Sequence, residues 1–180
     1  MKIGIDIDNT ICSTDEVIDI KIKEYIKEHG MSQEEFFGDS SNMDKFYKEK
    51  ILEVIAEDPV KDDFLRVLNK LKVNNEIIIV TARNEKLVKI YQSMRQATKD
   101  WLAKNNIYYD KYFDDAYIEG KVKVCKDEAI DIIIDDDINN YIAFKENGIK
   151  TLLFDDRGKY LDVVDRVGSW KEVEDILFNN

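Results

Sequence analysis

The sequence predicts an α/β fold with a doubly wound parallel sheet and a small helical cap inserted after the first strand. Near-continuous apolar runs at 77–80 and 132–134 are typical of strands that helices cover on both faces. Amphipathic helical patterns separate these runs, as expected when parallel strands alternate with helices. About 45 residues of mostly helical pattern lie between the first two strands, far more than one crossover needs, which predicts the inserted cap.

The first strand is predicted over residues 3–8, where isoleucines alternate with other residues. Because side chains alternate across a strand, the isoleucines share one face while Asp6 and Asp8 share the other. Two like charges at this spacing repel each other, and a divalent cation such as Mg²⁺, which prefers oxygen ligands, relieves the conflict. The carboxyl end of a strand is also where open α/β sheets bind their ligands. The alternative is an ordinary strand followed by a polar turn.

The other elements follow from helical spacing and from start and stop signals. Ser13 and Ser32 are each followed three residues later by a glutamate, the capping-box pattern that predicts a helix start. Apolar residues at helical spacing predict the later helices, which turn residues separate from the strands. Helices are expected over about 44–57, 60–71, 85–105, 121–129, 138–147 and 170–178, and strands over about 76–80, 107–113, 131–134 and 149–154.

The predicted cap spans residues 13–58, and the predicted catalytic core spans residues 1–12 and 59–180. The cap is too small to be a large substrate domain, but it is long enough to cover a site at the sheet edge. Phe36 and Phe37 lie within it and have two interpretations. They line a substrate pocket for a flat ring, or they pack the cap's own small core.

Composition and charge exclude several kinds of partner. Hydrophobic residues make up 44% of the 180-residue chain, which is enough for a folded core. The net charge of −11 argues against a nucleic-acid polymer or an anionic membrane surface as the partner. The two cysteines form no disulfide framework, and no apolar run has the length of a membrane span or a signal peptide. We therefore expect a cytoplasmic protein, while its oligomeric state is not determined by the sequence.

Polar residues follow several predicted strands, at positions that parallel strands bring to one edge of a sheet. Thr81 ends the strand at 76–80, and the backbone N–H groups after it form an anion site unless Thr81 merely caps the next helix. A lysine opens a later helix, where its charge opposes the helix dipole unless it faces an anion. In chain order the converging residues are Asp6, Asp8, Thr81, Lys121 or Lys123, Asp135 and Asp136. Such a set suits phosphoryl transfer, in which positioning and charge neutralisation dominate.

Four short segments resemble, in the right order, the motifs of the haloacid dehalogenase superfamily. They are Asp6-Ile7-Asp8-Asn9-Thr10, Val80-Thr81-Ala82-Arg83, the region of Lys121, and Ile134-Asp135-Asp136. Beyond these motifs the chain resembles the 5′(3′)-deoxyribonucleotidase family and its bacterial relatives over nearly its whole length. Asn9 departs from the glycine that is common after the second aspartate, a mild change because asparagine tolerates tight turns.

The resemblance implies the catalytic and metal-binding roles. Asp6 is implied as the nucleophile and Asp8 as the general acid–base. Mg²⁺ is implied on Asp6, on the carbonyl of Asp8 and on Asp136, with Asp135 close by. Asp137 is instead expected to start the following helix, where a carboxylate is favourable.

The phosphate-binding residues implied by the resemblance are Thr81, Ala82, Arg83 and a lysine. Lys121 is preferred as that lysine because it shares a helix face with the cysteine four residues later, which we expect to face the sheet. Lys123 is the alternative.

The function implied by the resemblance is Mg²⁺-dependent phosphomonoester hydrolysis through an aspartyl phosphate. The implied activity is that of a 5′-nucleotidase, with a small phosphorylated substrate, a nucleoside or deoxynucleoside monophosphate. A phosphatase for another small phosphate ester, such as a sugar phosphate, is one alternative. A non-catalytic phosphate-binding or regulatory module is another, although the presence of both Asp6 and Asp8 gives no sign that activity has been lost.

Overall fold

The computed structural model describes residues 1–83, 93–114 and 118–178, and these residues form a parallel sheet with helices on both faces. The strands are β1 (Lys2–Ile5), β2 (Glu76–Val80), β3 (Lys111–Phe113), β4 (Ile132–Asp135), β5 (Thr151–Phe154) and β6 (Arg166–Val167). Their order across the sheet is β3-β2-β1-β4-β5-β6, and each pairing is parallel. The predicted fold class is confirmed.

The helices fall into a group between the first two strands and a group that connects the later strands. In chain order they are α1 (Thr14–Glu28), α2 (Gln33–Gly38), α3 (Ser40–Glu57), α4 (Phe64–Leu71), α5 (Met94–Lys104), α6 (Ile118–Asp127), α7 (Ile138–Glu146) and α8 (Trp170–Phe178). Among the described residues, none of these helices combines the length and the apolar composition needed to cross a membrane.

The apolar runs of the strands are buried on both faces of the sheet, as the sequence predicts. In β2, Ile77 and Ile79 join a hydrophobic cluster that includes residues of α1, α3, α4 and α8. Ile78 and Val80 point to the opposite face, where they pack with Cys125 and Phe144. This alternation explains the unbroken apolar run from Ile77 to Val80, because neither face contacts water there.

The sheet reverses its order of connection next to β1, and this point lies beneath the predicted site. In register, Ile5 pairs with Ile79 on one side and with Ile134 on the other. The residues that follow Ile5 and Ile134 are Asp6 and Asp135, so the two carboxylates lie side by side. Crevices at such reversal points are where open α/β sheets bind ligands.

Several predicted boundaries differ from the observed ones. The first strand ends at Ile5 rather than at residue 8, although the Asp6 N–H still donates to the carbonyl of Ile134 at 3.0 Å. Strand β6 was not predicted, because two residues are too few for a periodic pattern. The start of the helix expected over 85–105 lies partly outside the described residues, which include only Met94–Lys104 of it.

Helices α1 to α3 occupy the segment predicted as a cap, and their start signals had different outcomes. The capping box at Ser32 is confirmed by its reciprocal hydrogen bonds with Glu35, 3.1 and 2.7 Å long. The one predicted at Ser13 is wrong, because no side-chain hydrogen bond caps α1 there. Ser13 instead contacts the chain that follows α3, donating its N–H to the carbonyl of Pro59 at 3.3 Å. Helix α3 begins at Ser40, earlier than predicted, because Asp39 caps it.

Candidate active site

A cavity of about 450 Å³ opens at the carboxyl ends of β1, β4 and β5. Asp6, Asp8, Lys121 and Asp136 contribute to its lining on one side. The loop 155–160, which follows β5, contributes the opposite side. Asn9 shapes the turn beside it with a left-handed φ of 53°, and its side chain accepts a hydrogen bond from the N–H of residue 15 at 3.0 Å. Asparagine is one of the few residues that adopt this conformation readily.

Lys121 bridges two buried carboxylates at the base of the cavity. Its Nζ lies 2.7 Å from Asp6 Oδ1 and 2.7 Å from Asp135 Oδ2. Asp135 is also fixed by Asn140, whose Nδ2 donates at 2.9 Å, and by the backbone N–H of Asp137 at 3.0 Å. Both oxygens of Asp135 are therefore engaged, which makes it a support for Lys121 rather than a free ligand. Of the two lysines considered from the sequence, Lys121 is the one that lines the cavity.

Three carboxylates crowd around that single ammonium group. Ligand atoms of Asp6, Asp135 and Asp136 all lie within 4.8 Å of one another. Burial raises the pKa of Asp6 despite the opposing effect of Lys121, and the Asp135 and Asp8 charges add to the rise. Burial likewise raises the pKa of Asp136, together with the charges of Asp6 and Asp135. An excess of buried negative charge with oxygen ligands fits a hard divalent cation such as Mg²⁺.

Asp8 has a different environment, although it lies only two residues from Asp6. Arg83 Nε and Nη2 both donate to Asp8 Oδ1, at 3.0 and 2.7 Å, and the Thr14 hydroxyl lies 2.8 Å from the same oxygen. Burial alone would raise the pKa of Asp8, but the Arg83 charge and these hydrogen bonds outweigh burial and lower it.

Arg83 is the centre of a second buried group of polar side chains. Its Nη2 donates to Asp58 Oδ2 at 2.8 Å, and its guanidinium carbon lies 5.6 Å from the ring centroid of Trp101. Only 2% of Arg83 is exposed, and it does not line the cavity. The expectation that Arg83 binds phosphate is therefore corrected, because its side chain is committed to two carboxylates.

The other residues expected on phosphate are divided between the cavity and its surroundings. Ala82 lines the cavity. Thr81 is fully buried at the end of β2, where its hydroxyl accepts a hydrogen bond from the N–H of Arg83 at 3.3 Å. Lys123 points to solvent with 74% of its side chain exposed and pairs with Asp127, so the expectation for Lys123 is wrong.

The two phenylalanines expected in a substrate pocket lie elsewhere. Phe36 is 1% exposed and packs edge-on against Tyr25 and Phe46 in the core of α1 to α3. Phe37 is 63% exposed and makes an edge-on contact with Phe36. Neither lines the cavity. The pocket assignment is therefore corrected in favour of the packing interpretation for Phe36, since an aromatic core is the usual use of such residues.

Several residues of the site gave no usable signal in the sequence. Asn140 lies in the first turn of α7, five residues after Asp135, and this position alone does not identify it as a contact of Asp135. Asp58 and Thr14 are 44 residues apart, with no motif to connect them. They meet beside Asp8 because the chain enters α1 and leaves α3 next to the end of β1.

One curated protein is similar to the chain over most of its length. No protein-family model matches the chain. Over 139 residues the chain is 30% identical to a protein from Clostridium acetobutylicum that is named a nucleotidase, and the match covers 74% of this chain and 67% of that protein.

Solved structures share the fold across almost the whole chain. A haloacid dehalogenase-like hydrolase from Streptococcus pneumoniae has a TM-score of 0.73 at 14% identity, with 98% of this chain and 97% of that chain covered. A haloacid dehalogenase family enzyme from Bacteroides thetaiotaomicron, a mutant in complex with magnesium and inorganic phosphate, has a TM-score of 0.54 at 15% identity. That match covers 86% of this chain and 93% of the other. At such identities the likeness concerns the fold alone.

Proposed function

This chain belongs to the haloacid dehalogenase superfamily, and we propose that it is a Mg²⁺-dependent phosphomonoesterase acting on nucleoside monophosphates. The observation that carries the proposal is the cavity at the sheet edge, where Lys121 Nζ contacts Asp6 and the carboxylate of Asp136 lies within 4.8 Å of that of Asp6. A buried ammonium and a cation-binding carboxylate group together neutralise a phosphate dianion, the main requirement for phosphoryl transfer.

Asp6 and Asp136 are the residues that would hold Mg²⁺, together with the backbone carbonyl of Asp8. The donor set fits, because it consists of oxygen atoms and carries more negative charge than Lys121 compensates. When bound, the ion would supply charge neutralisation to the phosphate and to the carboxylates around it. Asp135 keeps Lys121 in place through its 2.7 Å contact.

In the first step, a carboxylate oxygen of Asp6 attacks phosphorus and the bond from phosphorus to the ester oxygen breaks. Lys121 Nζ, already 2.7 Å from Asp6 Oδ1, is placed to neutralise the phosphoryl oxygens. Asp8 gives a proton to the departing alcohol oxygen, and the dianionic phosphate of the bound substrate favours the protonated form of Asp8 against the lowering of its pKa by Arg83. The products are the free alcohol and a phosphorylated Asp6.

In the second step, water attacks the phosphorus of that acyl phosphate. Asp8, now a carboxylate, accepts the proton from the water, and the bond from phosphorus to Asp6 breaks. Inorganic phosphate leaves, Asp6 is again a carboxylate, and Asp8 is again protonated. Each cycle returns both carboxyl groups to their starting states, so the hydrolysis is balanced.

The substrate class is supported by three observations. The relative at 30% identity is named a nucleotidase. The cavity volume of about 450 Å³ lies within the range of about 300–1,000 Å³ typical of small-molecule sites. Tyr160 lines the cavity and offers an aromatic ring to a base, a role for which Phe36 is too deeply buried. Stacking of a base on an aromatic side chain contributes about 1–3 kcal/mol.

The test is a comparison of kcat/KM for deoxynucleoside monophosphates, ribonucleoside monophosphates and sugar phosphates in the presence of Mg²⁺. We expect a nucleoside monophosphate to be the best substrate and Tyr160→Leu to reduce its kcat/KM by about tenfold, the effect of roughly 1.4 kcal/mol. Tyr108→Leu is the matched control, because Tyr108 is exposed beside Asp110 and does not line the cavity. A sugar phosphate as the best substrate contradicts the nucleotide assignment, and binding of phosphate esters without turnover contradicts the enzymatic one.

A further inference from the structure

Arg83 is dedicated to protein carboxylates and not to the cavity. Its guanidinium donates through two nitrogens to Asp8 and through Nη2 to Asp58, at distances from 2.7 to 3.0 Å. A planar guanidinium held by two nitrogens fixes the orientation of the carboxylate it contacts. The guanidinium carbon also lies 5.6 Å from the ring centroid of Trp101, which covers another side of the guanidinium.

The partners of Arg83 lie where the chain enters and leaves the segment of α1 to α3. Thr14 is the first residue of α1, and Asp58 directly follows the end of α3. The Thr14 hydroxyl has one hydrogen and lies 2.8 Å from Asp8 Oδ1 and 2.7 Å from Asp58 Oδ2, so the two carboxylates share it. The entry and exit segments are also joined directly, since the N–H of Lys61 donates to the carbonyl of Ile11 at 2.8 Å.

We infer that Arg83 is a positioning residue for Asp8, and that Thr14 and Asp58 hold Arg83 at the base of the α1 to α3 segment. The inference rests on the proposed function, in which Asp8 moves a proton to and from the reacting oxygen. Without Arg83 and Thr14, the Asp8 side chain loses the contacts that fix its rotation. A displacement of about 1 Å at a reacting group lowers the rate by up to about 10²-fold.

The choice between positioning and phosphate binding can be made by experiment. A phosphate-binding arginine contributes equally to esters of good and poor leaving groups, and its loss weakens binding of inorganic phosphate. A residue that positions the acid matters most when the leaving oxygen needs a proton. An alkyl phosphate such as a nucleoside monophosphate needs that proton, whereas a nitrophenyl phosphate needs it far less.

The test is Arg83→Lys, which keeps the charge but removes the two-nitrogen contact. We expect the single-turnover rate with a nucleoside monophosphate to fall at least about tenfold, and the rate with nitrophenyl phosphate to fall by less than about threefold. Inhibition by inorganic phosphate should be unchanged. Arg66→Lys is the matched control, because Arg66 pairs with Asp63 and Glu174 outside the cavity.

Thr14→Val is the second variant, in case the Arg83→Lys variant does not fold. It removes the shared hydroxyl while keeping the shape of the side chain, and Thr151→Val is its control because the Thr151 hydroxyl, buried in β5, has no partner among the described residues. We expect a smaller loss with the same dependence on the leaving group. Equal losses for both substrates, or weaker phosphate inhibition, overturn the inference and leave the proposed phosphatase intact. Absence of turnover in the unmodified protein overturns both.

Discussion

Two groups of mostly buried charges lie side by side in this protein, and they differ in the balance of negative and positive charge. The lysine cluster consists of Asp6, Lys121, Asp135 and Asp136, three carboxylates around one ammonium. The arginine cluster consists of Asp8, Asp58, Arg83 and Thr14, two carboxylates around one guanidinium. Burial and crowding raise the pKa of Asp6, whereas Arg83 outweighs burial and lowers the pKa of Asp8. Neighbouring groups therefore give two carboxylates of one short motif opposite properties.

The comparison also separates the proposed cation site from a second group of ligand atoms that has the same spacing. Ligand atoms of Asp8, Cys12 and Asp58 lie within 4.8 Å of one another, as those of the lysine cluster do. Arg83 Nη2 already contacts both of these carboxylates, and burial raises the pKa of the Cys12 thiol, which keeps it neutral. The guanidinium already lies between these two carboxylates and leaves less uncompensated negative charge than Lys121 leaves among the three carboxylates of the lysine cluster. Among the described residues, we therefore propose the lysine cluster and not this group as the Mg²⁺ site.

The largest effect is expected from Asp6→Asn, which preserves shape and removes the nucleophile. Turnover of a nucleoside monophosphate should fall by about 10⁴–10⁶-fold, the range found when groups of covalent catalysis are removed. The measurement is kcat of the purified variant beside the unmodified protein, with circular dichroism to verify folding. A variant that keeps more than a few per cent of the activity contradicts the assignment of Asp6.

Asp8→Asn tests the other cluster and should have the next largest effect. Loss of a general acid–base lowers the rate by about 10²–10⁴-fold, and the loss should be smaller for a nitrophenyl ester in the phosphorylation step. A burst experiment measures that step separately from hydrolysis of the phosphorylated chain. Equal burst-phase losses for good and poor leaving groups argue that Asp8 does not act as an acid.

The metal assignment predicts unequal effects at two adjacent residues. Asp136→Asn removes a carboxylate of the lysine cluster and should raise the Mg²⁺ concentration for half-maximal activity at least about tenfold, as about 1.4 kcal/mol of lost binding would. Asp137→Asn is the matched control, because Asp137 caps α7 by accepting from the N–H of Asn139 at 2.7 Å. The reverse order in a Mg²⁺ titration shows that the metal lies elsewhere.

The smallest effect is expected in the pH dependence of the free energy of unfolding. Burial raises the pKa of Asp6 to about 7 and that of Asp136 to about 8, so the folded chain holds protons that the unfolded chain releases above about pH 4. In the presence of EDTA the free energy of unfolding should therefore decrease by at least about 1 kcal/mol between about pH 4 and 8, since one pKa unit corresponds to about 1.4 kcal/mol. Added Mg²⁺ should remove the decrease. Urea denaturation measures both, and the same slope with and without Mg²⁺ contradicts the lysine cluster as a metal site.

The fold and the lysine cluster were accessible from the sequence for a physical reason. Long apolar runs identify the buried parallel strands, and such strands bring their carboxyl ends to one edge. Asp6 and Asp135 are therefore neighbours by topology alone. The helix face shared with Cys125 pointed to Lys121, whose Nζ lies 2.7 Å from both carboxylates.

The arginine cluster was not accessible in the same way. Its members Thr14, Asp58 and Arg83 are separated by long stretches of chain, and no periodic pattern or short motif connects them. The resemblance of its motif instead predicted that Arg83 binds phosphate. Likewise, Phe36 and Phe37 are adjacent in sequence, yet one is in the core and the other is in solvent. In both cases the position of the side chains depends on packing between segments that are far apart in the sequence.

The central claim is that Asp6, and not Asp8, carries the phosphoryl group. The most direct measurement is an acid quench during turnover of a nucleoside monophosphate with Mg²⁺, followed by borohydride reduction of the acyl phosphate and peptide mass spectrometry. We expect homoserine in place of Asp6 and an unchanged Asp8. Reduction at Asp8, or no reduced aspartate in a protein that turns over its substrate, contradicts the claim.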